Sequence, residues 1–523
     1  MTSNVKNNQR VLKQTNNDVQ PETTSVSRAK TSNDDPAELV LKDFLGVTKD
    51  EELLENLKEK NGDKSADKKD EQGRSSQAKI QKVLHYLRQN IDNKVRKHFV
   101  PREISVGPLR AGNAHWLKKE LKLGLAKTFI KDSGTTADSF LAEIKKNIRD
   151  LKTCFIEGVI PQYYNDDSLA RLLFLDGCAV LQFIRSYVSE NLEEFNINST
   201  QAVFIQQDLF LFENQIPFKV LTLLMGVSDM GATGKENEKP SFYYKASIIQ
   251  FVHENNICAT NNAFNYYRKR DYHQMIGMLE KIKPVHLLDL LQKVSVFGSI
   301  KDVEFDEDET DTVKIVSKWS CFTDELEEHG RRVEAQSLRS IQELKSSGIT
   351  MKLSNSRSLK SVTFDTHCLG IFGRIKLPAL NVNDSTVRKL LNLVAYEACL
   401  DSKERYYSVI SYLNFLDLLI DTEQDVKDLR KARILRNALG SDAEVAQFFN
   451  TLGLTYLPKP KEDHFERIHN KIEEHYVRKW EIKMARIYID YLKNPWPTLA
   501  FFLAPAALLL TIVQTWYAIH PRR

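Results

Sequence analysis

The sequence predicts a mainly α-helical protein, with a multi-helical globular body and one C-terminal transmembrane helix. Three observations support this fold class. Apolar residues recur every three to four positions in most segments of the body, which is the spacing of one helix face. Residues 349–382 instead alternate apolar and polar side chains, which predicts a small β-element. Finally, Asn494–Ile519 contains no charged side chain and is long enough to cross a bilayer.

Length and composition limit the classes of protein to consider. The chain has 523 residues, of which 42% are hydrophobic, enough for one large domain or two to three ordinary ones. Its 74 basic and 70 acidic residues leave a net charge of only +4, so we expect no nucleic-acid partner. The six cysteines form no CxxC pair and no His/Cys cluster, which disfavours a disulfide framework or zinc site. We interpret most of them as free core thiols, while an extracytosolic body would allow a bridge or two.

Four regions follow from the composition along the chain. Residues 1–78 are polar and charged with little apolar content, which predicts a disordered tail. Residues 79–493 form the helical body, with a candidate sub-boundary at the acidic loop 302–318. Residues 494–519 form the transmembrane anchor, and residues 520–523 a short tail.

Helical periodicity begins at the start of the body. Ile80, Val83 and Leu84 open an apolar series that continues to Val95 and predicts a first helix. A second helix is predicted over Ser168–Val188, and Pro217 is expected to end or kink a helical stretch. Ala202–Met225 is predicted to be two helices with a break between them, and Met275–Val294 is predicted to be helical with Pro284 near a boundary. Further helices are predicted over Arg331–Ser346, Ser408–Ile420 and, toward the anchor, from Phe465 to Ile487.

The C-terminal stretch predicts a single membrane anchor. As a helix, Leu499–Tyr517 would span about 28 Å, the thickness of the hydrocarbon core. Its strong apolar residues favour insertion by about 3–5 kcal/mol, and aromatic residues stand at both edges. A buried core helix is the alternative, which the terminal position and the aromatic edges disfavour. The residues assigned to the anchor are Trp496, Leu499, Phe501, Phe502, Leu503, Leu508, Leu509, Leu510, Ile512, Val513, Trp516 and Tyr517.

The charges around the anchor predict its orientation. More Lys and Arg residues precede it than follow it, which places the body in the cytosol by the positive-inside rule. The N-terminus has no apolar region of a secretory signal, and Thr2 excludes N-myristoylation. We therefore expect a tail-anchored protein, with the plasma membrane as the favoured location. In a cytosolic body the two sequons at Asn198 and Asn383 would stay without glycans.

No motif in the chain predicts a specific chemistry. The GATGKE segment at Gly231–Glu236 lacks phosphate-loop spacing, and GxSxG, HExxH and strand-linked GxGxxG are absent from the sequence. We therefore assign no catalytic, cofactor or metal residues. Two carboxylates, Asp176 and Glu213, lie in apolar surroundings, where an unpaired charge is costly. We favour buried polar links for both, while a catalytic pair is the alternative.

Several of these segments, in order, resemble the plant "domain of unknown function 247" family over about residues 80–520. The structural motif residues are Asp176, Gly177 and Cys178 in LDGCAVLQFI, and Glu213, Asn214, Gln215 and Pro217 in QDLFLFENQIPF. The remaining motifs are VHLLDLL (285–291), ELKSSGI (343–349), KLPALNVNDSTVRKLLNLVAYEAC (376–399), LGSDAEVAQFFN (439–450) and the NPW before the anchor. The ISVGPLRAGN segment and the long polar N-terminus depart from the family pattern.

The resemblance implies a mostly helical body on a single-pass anchor, with no known enzymatic activity. In grasses, family members resemble pollen-side determinants of self-incompatibility, thought to act with small secreted stigma peptides. On this basis we expect a non-enzymatic recognition protein whose partners are membrane lipid and a protein or small secreted peptide. A receptor for a secreted peptide would display its body outside the cell, in conflict with the charge rule. An enzyme using Asp176 and Glu213, or a cytosol-facing scaffold, remain the alternatives.

Overall fold

The computed structural model describes most of the body and the C-terminal helix. It covers residues 79–84, 97–110, 119–230, 239–259, 269–302, 340–368, 370, 372–400, 408–451, 464–477 and 495–519. The predicted tail 1–78, nearly all of the acidic loop 302–318 and residues 478–494 lie outside this range.

The described residues are mainly helical, as predicted. The first helices are α1 (Lys119–Ser133), α2 (Ala137–Lys146), α3 (Ile148–Thr153), α4 (Asp166–Val188), α5 (Ser199–Asp208), α6 (Phe218–Ser228), α7 (Pro240–Glu254), α8 (Lys269–Ile282) and α9 (Leu287–Phe297). They are followed by α10 (Ile341–Ser346), α11 (Asp384–Ala398), α12 (Ser408–Leu419), α13 (Glu423–Lys431), α14 (Asp442–Thr451), α15 (His464–Val477) and α16 (Pro495–Ile519).

The predicted β-element is present and forms most of two small sheets. Strands β1 (Ile349–Leu353), β2 (Thr363–His367) and β3 (Phe372–Leu377) form one sheet in the order β1-β3-β2. β3 is parallel to β1 and antiparallel to β2. β4 (Leu380–Val382) pairs in parallel with β5 (Leu435–Asn437), a strand that the periodicity did not predict.

A single hydrophobic cluster joins the described elements of the body, without α16. Helix α4 lies near its centre and packs against α1, α2, α6 and α7. Its apolar face is buried, as the helical spacing over Ser168–Val188 predicts, and Leu169, Leu173 and Ile184 are fully inaccessible to solvent. Helices α9, α11 and α12 contact one another and belong to the same cluster. The described residues before 303 and those between 340 and 477 therefore share one core.

Proline positions explain two of the predicted helix breaks. Pro217 directly precedes α6, where its fixed φ and missing N–H fit a helix start. Pro284 lies between α8 and α9, so the stretch predicted over Met275–Val294 is two helices.

The predicted first helix is wrong over its described part, residues 79–84. Ile80 forms an isolated parallel bridge with Phe155 instead. The Ile80 N–H donates to the Cys154 carbonyl oxygen at 2.8 Å, and the Val83 N–H donates to Glu213 Oε1 at 2.8 Å. These tertiary bonds use backbone groups that a helix would satisfy internally, so the segment is extended despite its helical spacing.

The C-terminal stretch forms the 25-residue helix α16, with Pro505 inside it. Its described large apolar side chains are 49% to 68% exposed: Leu499, Leu503, Leu508, Leu509, Leu510, Ile512, Val513, Trp516 and Ile519. The side chains of Trp496, Phe501, Phe502 and Tyr517 lie outside the description. Of the helices in the described residues, none is long and apolar enough to cross a membrane. The transmembrane anchor therefore stays a prediction.

Candidate functional site

Asp176 is a buried link between α4, α1 and the segment 97–110. Its Oδ1 lies 2.6 Å from Lys122 Nζ, and both side chains are almost fully buried. Its Oδ2 accepts a hydrogen bond from the Gly107 N–H at 2.8 Å. Both carboxylate oxygens therefore have internal donors, which offsets the cost of removing the charge from water. The predicted need for a partner is confirmed.

Glu213 plays the same role in the connection between α5 and α6. Its Oε2 lies 2.6 Å from Arg110 Nη2, while its Oε1 accepts the Val83 N–H at 2.8 Å. Glu213 thus joins two segments, 79–84 and 97–110, to the helical body. Paired carboxylates on which backbone N–H groups converge are typical of structural links, so this geometry favours that interpretation over a catalytic pair.

The next two motif residues satisfy backbone groups of the same segments. Asn214 accepts the Val106 N–H at 2.7 Å and donates to the carbonyl oxygens of Ile104 and Asp208. Gln215 donates to the carbonyl oxygens of Leu209 and Leu211, both at 2.8 Å, and accepts the Leu288 N–H at 3.3 Å. Through these hydrogen bonds, the ENQ motif (Glu213–Gln215) connects segment 97–110 with α9.

Two glycines in this region allow backbones to approach closely. Gly107 has φ +77°, and a Cβ there would lie 2.3 Å from the Gln215 carbonyl oxygen. A Cβ on Gly177 would lie 2.6 Å from Leu224 Cδ1 and 2.9 Å from Val220 Cγ1. Gly177 therefore permits the close contact of α4 with α6. Its neighbour Cys178 is fully buried, and burial raises the pKa of its thiol well above the usual value.

The sequence analysis missed a second buried ion pair, Asp208 with Arg388. Asp208 accepts the N–H groups of Arg102, Glu103 and Ile104, and Arg388 Nη2 lies 2.9 Å from its Oδ1. Burial raises the pKa of Asp208, while these hydrogen bonds and Arg388 act in the opposite direction. The sequence contained a signal for this pair. Asp208 and Arg388 each occupy a position on the apolar face of a helical segment, where a charged residue needs a partner.

The later motifs join the same network. Asn392 accepts the Phe212 N–H at 2.9 Å, and Tyr396 donates to Asp289 at 2.9 Å. Burial opposes ionisation of Asp289, but nearby positive charge and hydrogen bonds outweigh it and lower its pKa. Glu397 accepts the N–H groups of Val409 and Ile410 and the amide of Gln292 at 2.7 Å.

We call this set the buried junction. Its side chains come from Lys122, Asp176, Asp208, Glu213, Asn214, Gln215, Asp289, Arg388, Asn392, Tyr396 and Glu397. All of these residues except Lys122 lie in the motifs that carry the family resemblance.

A second region is an open groove on the surface. It lies where the end of α4, a 3₁₀ turn at Glu193–Phe195, the start of α5 and the end of α7 meet, and its volume is about 1020 Å³. Apolar side chains including Leu192, Ile197 and Val203 line it, together with Tyr187. We call it the acidic groove because Glu190, Glu193 and Glu254 also line it.

In the part of the chain that the structure describes, no positively charged side chain lines the acidic groove. None of the ion pairs found in the described ranges involves these three glutamates. Partial burial and the nearby Glu190 raise the pKa of Glu254, although a hydrogen bond from Gln250 lowers it. Burial, followed by the negative charge of Glu254, raises the pKa of Tyr187.

Both sequon asparagines are helix N-caps. Asn198 lies on the edge of the groove, is exposed, and accepts the Gln201 N–H at 2.9 Å at the start of α5. Asn383 accepts the Thr386 N–H at 2.8 Å at the start of α11 and is only partly exposed. In both cases the cap uses the side-chain oxygen.

The thiols and potential metal ligands add no further site. The five described cysteines are free, with Cys178 and Cys258 buried and Cys368 exposed, while Cys321 lies outside the description. The described residues contain no cluster of three His, Cys, Asp or Glu side chains arranged to hold a metal ion.

Comparison with known proteins identifies plant relatives and a family. The UPF0481 protein At3g02645 of Arabidopsis thaliana is 23% identical over 473 residues, which cover 80% of this chain and 86% of the relative. The UPF0481 protein At3g47200 of the same plant is 22% identical over 436 residues, covering 81% and 83%. No solved structure gives a significant match. The family model DUF247, described as a plant protein of unknown function, matches residues 80–510, and the chain belongs to this family.

Proposed function

We propose that this protein is a membrane-tethered, non-enzymatic recognition protein that presents its helical body to a peptide or protein partner. The observation that carries the proposal is α16, a helix of 25 residues with a row of exposed large apolar side chains. Exposed apolar area of this extent is unfavourable in water, and lipid is the environment that would cover it.

Two experiments test the tether. We expect the full-length protein to stay with microsomes after a carbonate wash, and a variant truncated after Lys493 to lose its membrane association. Release of the intact protein by carbonate, or an unchanged distribution of the truncated variant, would contradict the tether.

The side of the membrane is a separate question with its own measurement. The excess of Lys and Arg before the anchor supports a cytosolic body. Both sequon caps keep the side-chain nitrogen out of the capping bond, so a glycan would not break either cap. We expect endoglycosidase to leave the mobility of the native protein unchanged. A shift that disappears in Asn198→Gln would place the body outside the cytosol.

The non-enzymatic part of the proposal is supported by the internal donors around Asp176 and Glu213. We expect Asp176→Asn and Glu213→Gln to lower stability and to leave partner binding unchanged in whatever fraction is folded. A stably folded variant that loses a measurable turnover would favour the enzyme alternative.

A more specific role, that of a pollen-side self-incompatibility determinant, is supported only by the family resemblance. It predicts that tagged protein co-purifies with a small secreted peptide from stigma extracts and not from leaf extracts. Equal recovery of the same partner from leaf would favour a general scaffold.

A further inference from the structure

We propose that the acidic groove binds a cationic, partly apolar peptide segment, with an arginine or lysine side chain directed at Glu190 and Glu254. The inference deepens the proposed function, because it assigns the chemistry of the partner that the body recognises. Three features of the groove support it: its size, its lining and its uncompensated charge.

The size and lining fit a peptide rather than a single ion. A volume of about 1020 Å³ is at the upper end for ligand sites and accommodates several side chains. Leu192 and Ile197 provide apolar surface, and Val203 is 43% exposed at the edge. A bound apolar side chain would remove this surface from water, which is the main source of affinity in peptide grooves.

The charge of the groove selects a cation. Glu190 lies close enough to Glu254 to raise its pKa, so the two carboxylates repel each other in the free protein. A guanidinium or ammonium group between them would relieve this repulsion. Both side chains are exposed to solvent, so their attraction for a cation is long-ranged and weakens as salt is added.

The same charges disfavour other occupants. The start of α5 lines the groove and would by itself attract an anion. The three glutamates that line the same groove oppose this attraction. A phosphate group or a nucleic acid would therefore be repelled.

The experiment measures peptide affinity with the full-length protein in detergent micelles. The probe is a fluorescent peptide of alternating arginine and leucine, and its matched control carries glutamate in place of arginine. We expect the arginine peptide to bind and the glutamate peptide not to bind. The Glu190→Gln/Glu254→Gln variant should weaken binding about threefold to tenfold, because it removes both charges that would pair with the bound cations.

Two further variants make the result specific. Glu157→Gln/Glu466→Gln removes the same charge from exposed positions outside the groove, and we expect less than about twofold loss. Val203→Arg places a cation at the groove edge, where it should pair with the glutamates. We expect it to reduce peptide binding at least as strongly as Glu190→Gln/Glu254→Gln does. Unchanged thermal unfolding would show that all three variants fold.

Equal affinities of the groove variant and its control, or equal binding of the two peptides, would overturn the inference. This outcome is distinguishable from failure of the proposed function, since the carbonate wash tests the tether without any peptide. If the protein binds the arginine peptide but is released from microsomes by carbonate, the groove inference is supported and the membrane tether is contradicted.

Discussion

The buried junction and the acidic groove both contain carboxylate side chains, but in opposite electrostatic surroundings. In the junction, Glu213 has an arginine and a backbone N–H as partners, and Asp176 has a lysine and a backbone N–H. In the groove, Glu190 and Glu254 line the same surface and repel each other, with no basic residue among the described lining. The motif residues of the junction thus stabilise the fold, whereas the three glutamates of the groove lie outside the motifs.

The largest effect is expected in the junction, at Asp208. Asp208→Ala would leave the Arg388 charge and three backbone N–H groups buried without their acceptor, so we expect a loss of about 3–5 kcal/mol in the free energy of unfolding. Urea unfolding of the full-length protein measures it. Glu254→Gln in the groove serves as the comparison and should change stability by less than about 0.5 kcal/mol. Similar losses at both sites would erase the distinction between the two regions.

Acid should also destabilise the interior. Burial lowers the pKa of His98, His253 and His286 to about 4 from an ordinary value of 6.5. Between pH 6.5 and pH 4 the unfolded chain binds protons at these positions and the folded chain does not. Stability therefore rises with pH across this window, is complete above it and is lost progressively as pH falls toward 4.

His286 offers the cleanest variant, because its Nδ1 accepts the Asp289 N–H as the N-cap of α9. His286→Asn keeps a capping acceptor and removes the titration. Because His286 is one of three such histidines, we expect the variant to reduce the pH dependence of the thermal midpoint between pH 6.5 and 4 by about a third. In the free energy of unfolding, this contribution is about 3 kcal/mol at most. An unchanged pH profile would show that His286 does not titrate as described.

A smaller effect is expected where α4 meets α6. Gly177→Ala would place a methyl group 2.6 Å from Leu224, and we expect overpacking to cost about 1–3 kcal/mol. Gly226 lies in α6 with no heavy atom within 4 Å of an added Cβ. Gly226→Ala should therefore stabilise the protein by about 0.5–1 kcal/mol through helix propensity. Opposite signs for the two changes, measured by urea unfolding, would confirm the close contact; equal signs would contradict it.

The smallest effect concerns the groove and pH. Because the pKa of Glu254 is raised, the groove should lose negative charge at a higher pH than isolated glutamates do. Affinity for the arginine–leucine peptide is expected to fall as pH is lowered, and Glu254→Gln should shift the midpoint of that fall downward. A midpoint that stays in place in Glu254→Gln would exclude this carboxylate from the cation site.

The sequence predicted helices best where the whole apolar face packs on the core. The second helix appears as α4 because its 3–4 spacing faces neighbours on several sides. The helix predicted from the spacing of residues 80–84 was wrong, because the N–H groups of Ile80 and Val83 donate to the distant Cys154 carbonyl and Glu213 carboxylate. Local periodicity contains no information on such long-range acceptors.

The candidate sites were only partly predictable. The sequence showed that Asp176 needs a partner, because its position on a buried helix face makes an isolated charge costly. It did not identify Lys122, which is 54 residues away and on another helix. The acidic groove was not predicted at all, since its glutamates are single charges in separate segments that look like ordinary solvated positions.

The most direct test of the junction's structural role is a double-mutant cycle on Lys122 and Asp176, measured as the free energy of unfolding. Lys122→Met and Asp176→Leu each leave one charge buried alone, and we expect each to cost about 3–5 kcal/mol. The double variant should lose clearly less than the sum. Single variants as stable as the parent protein would contradict a structural role for the pair.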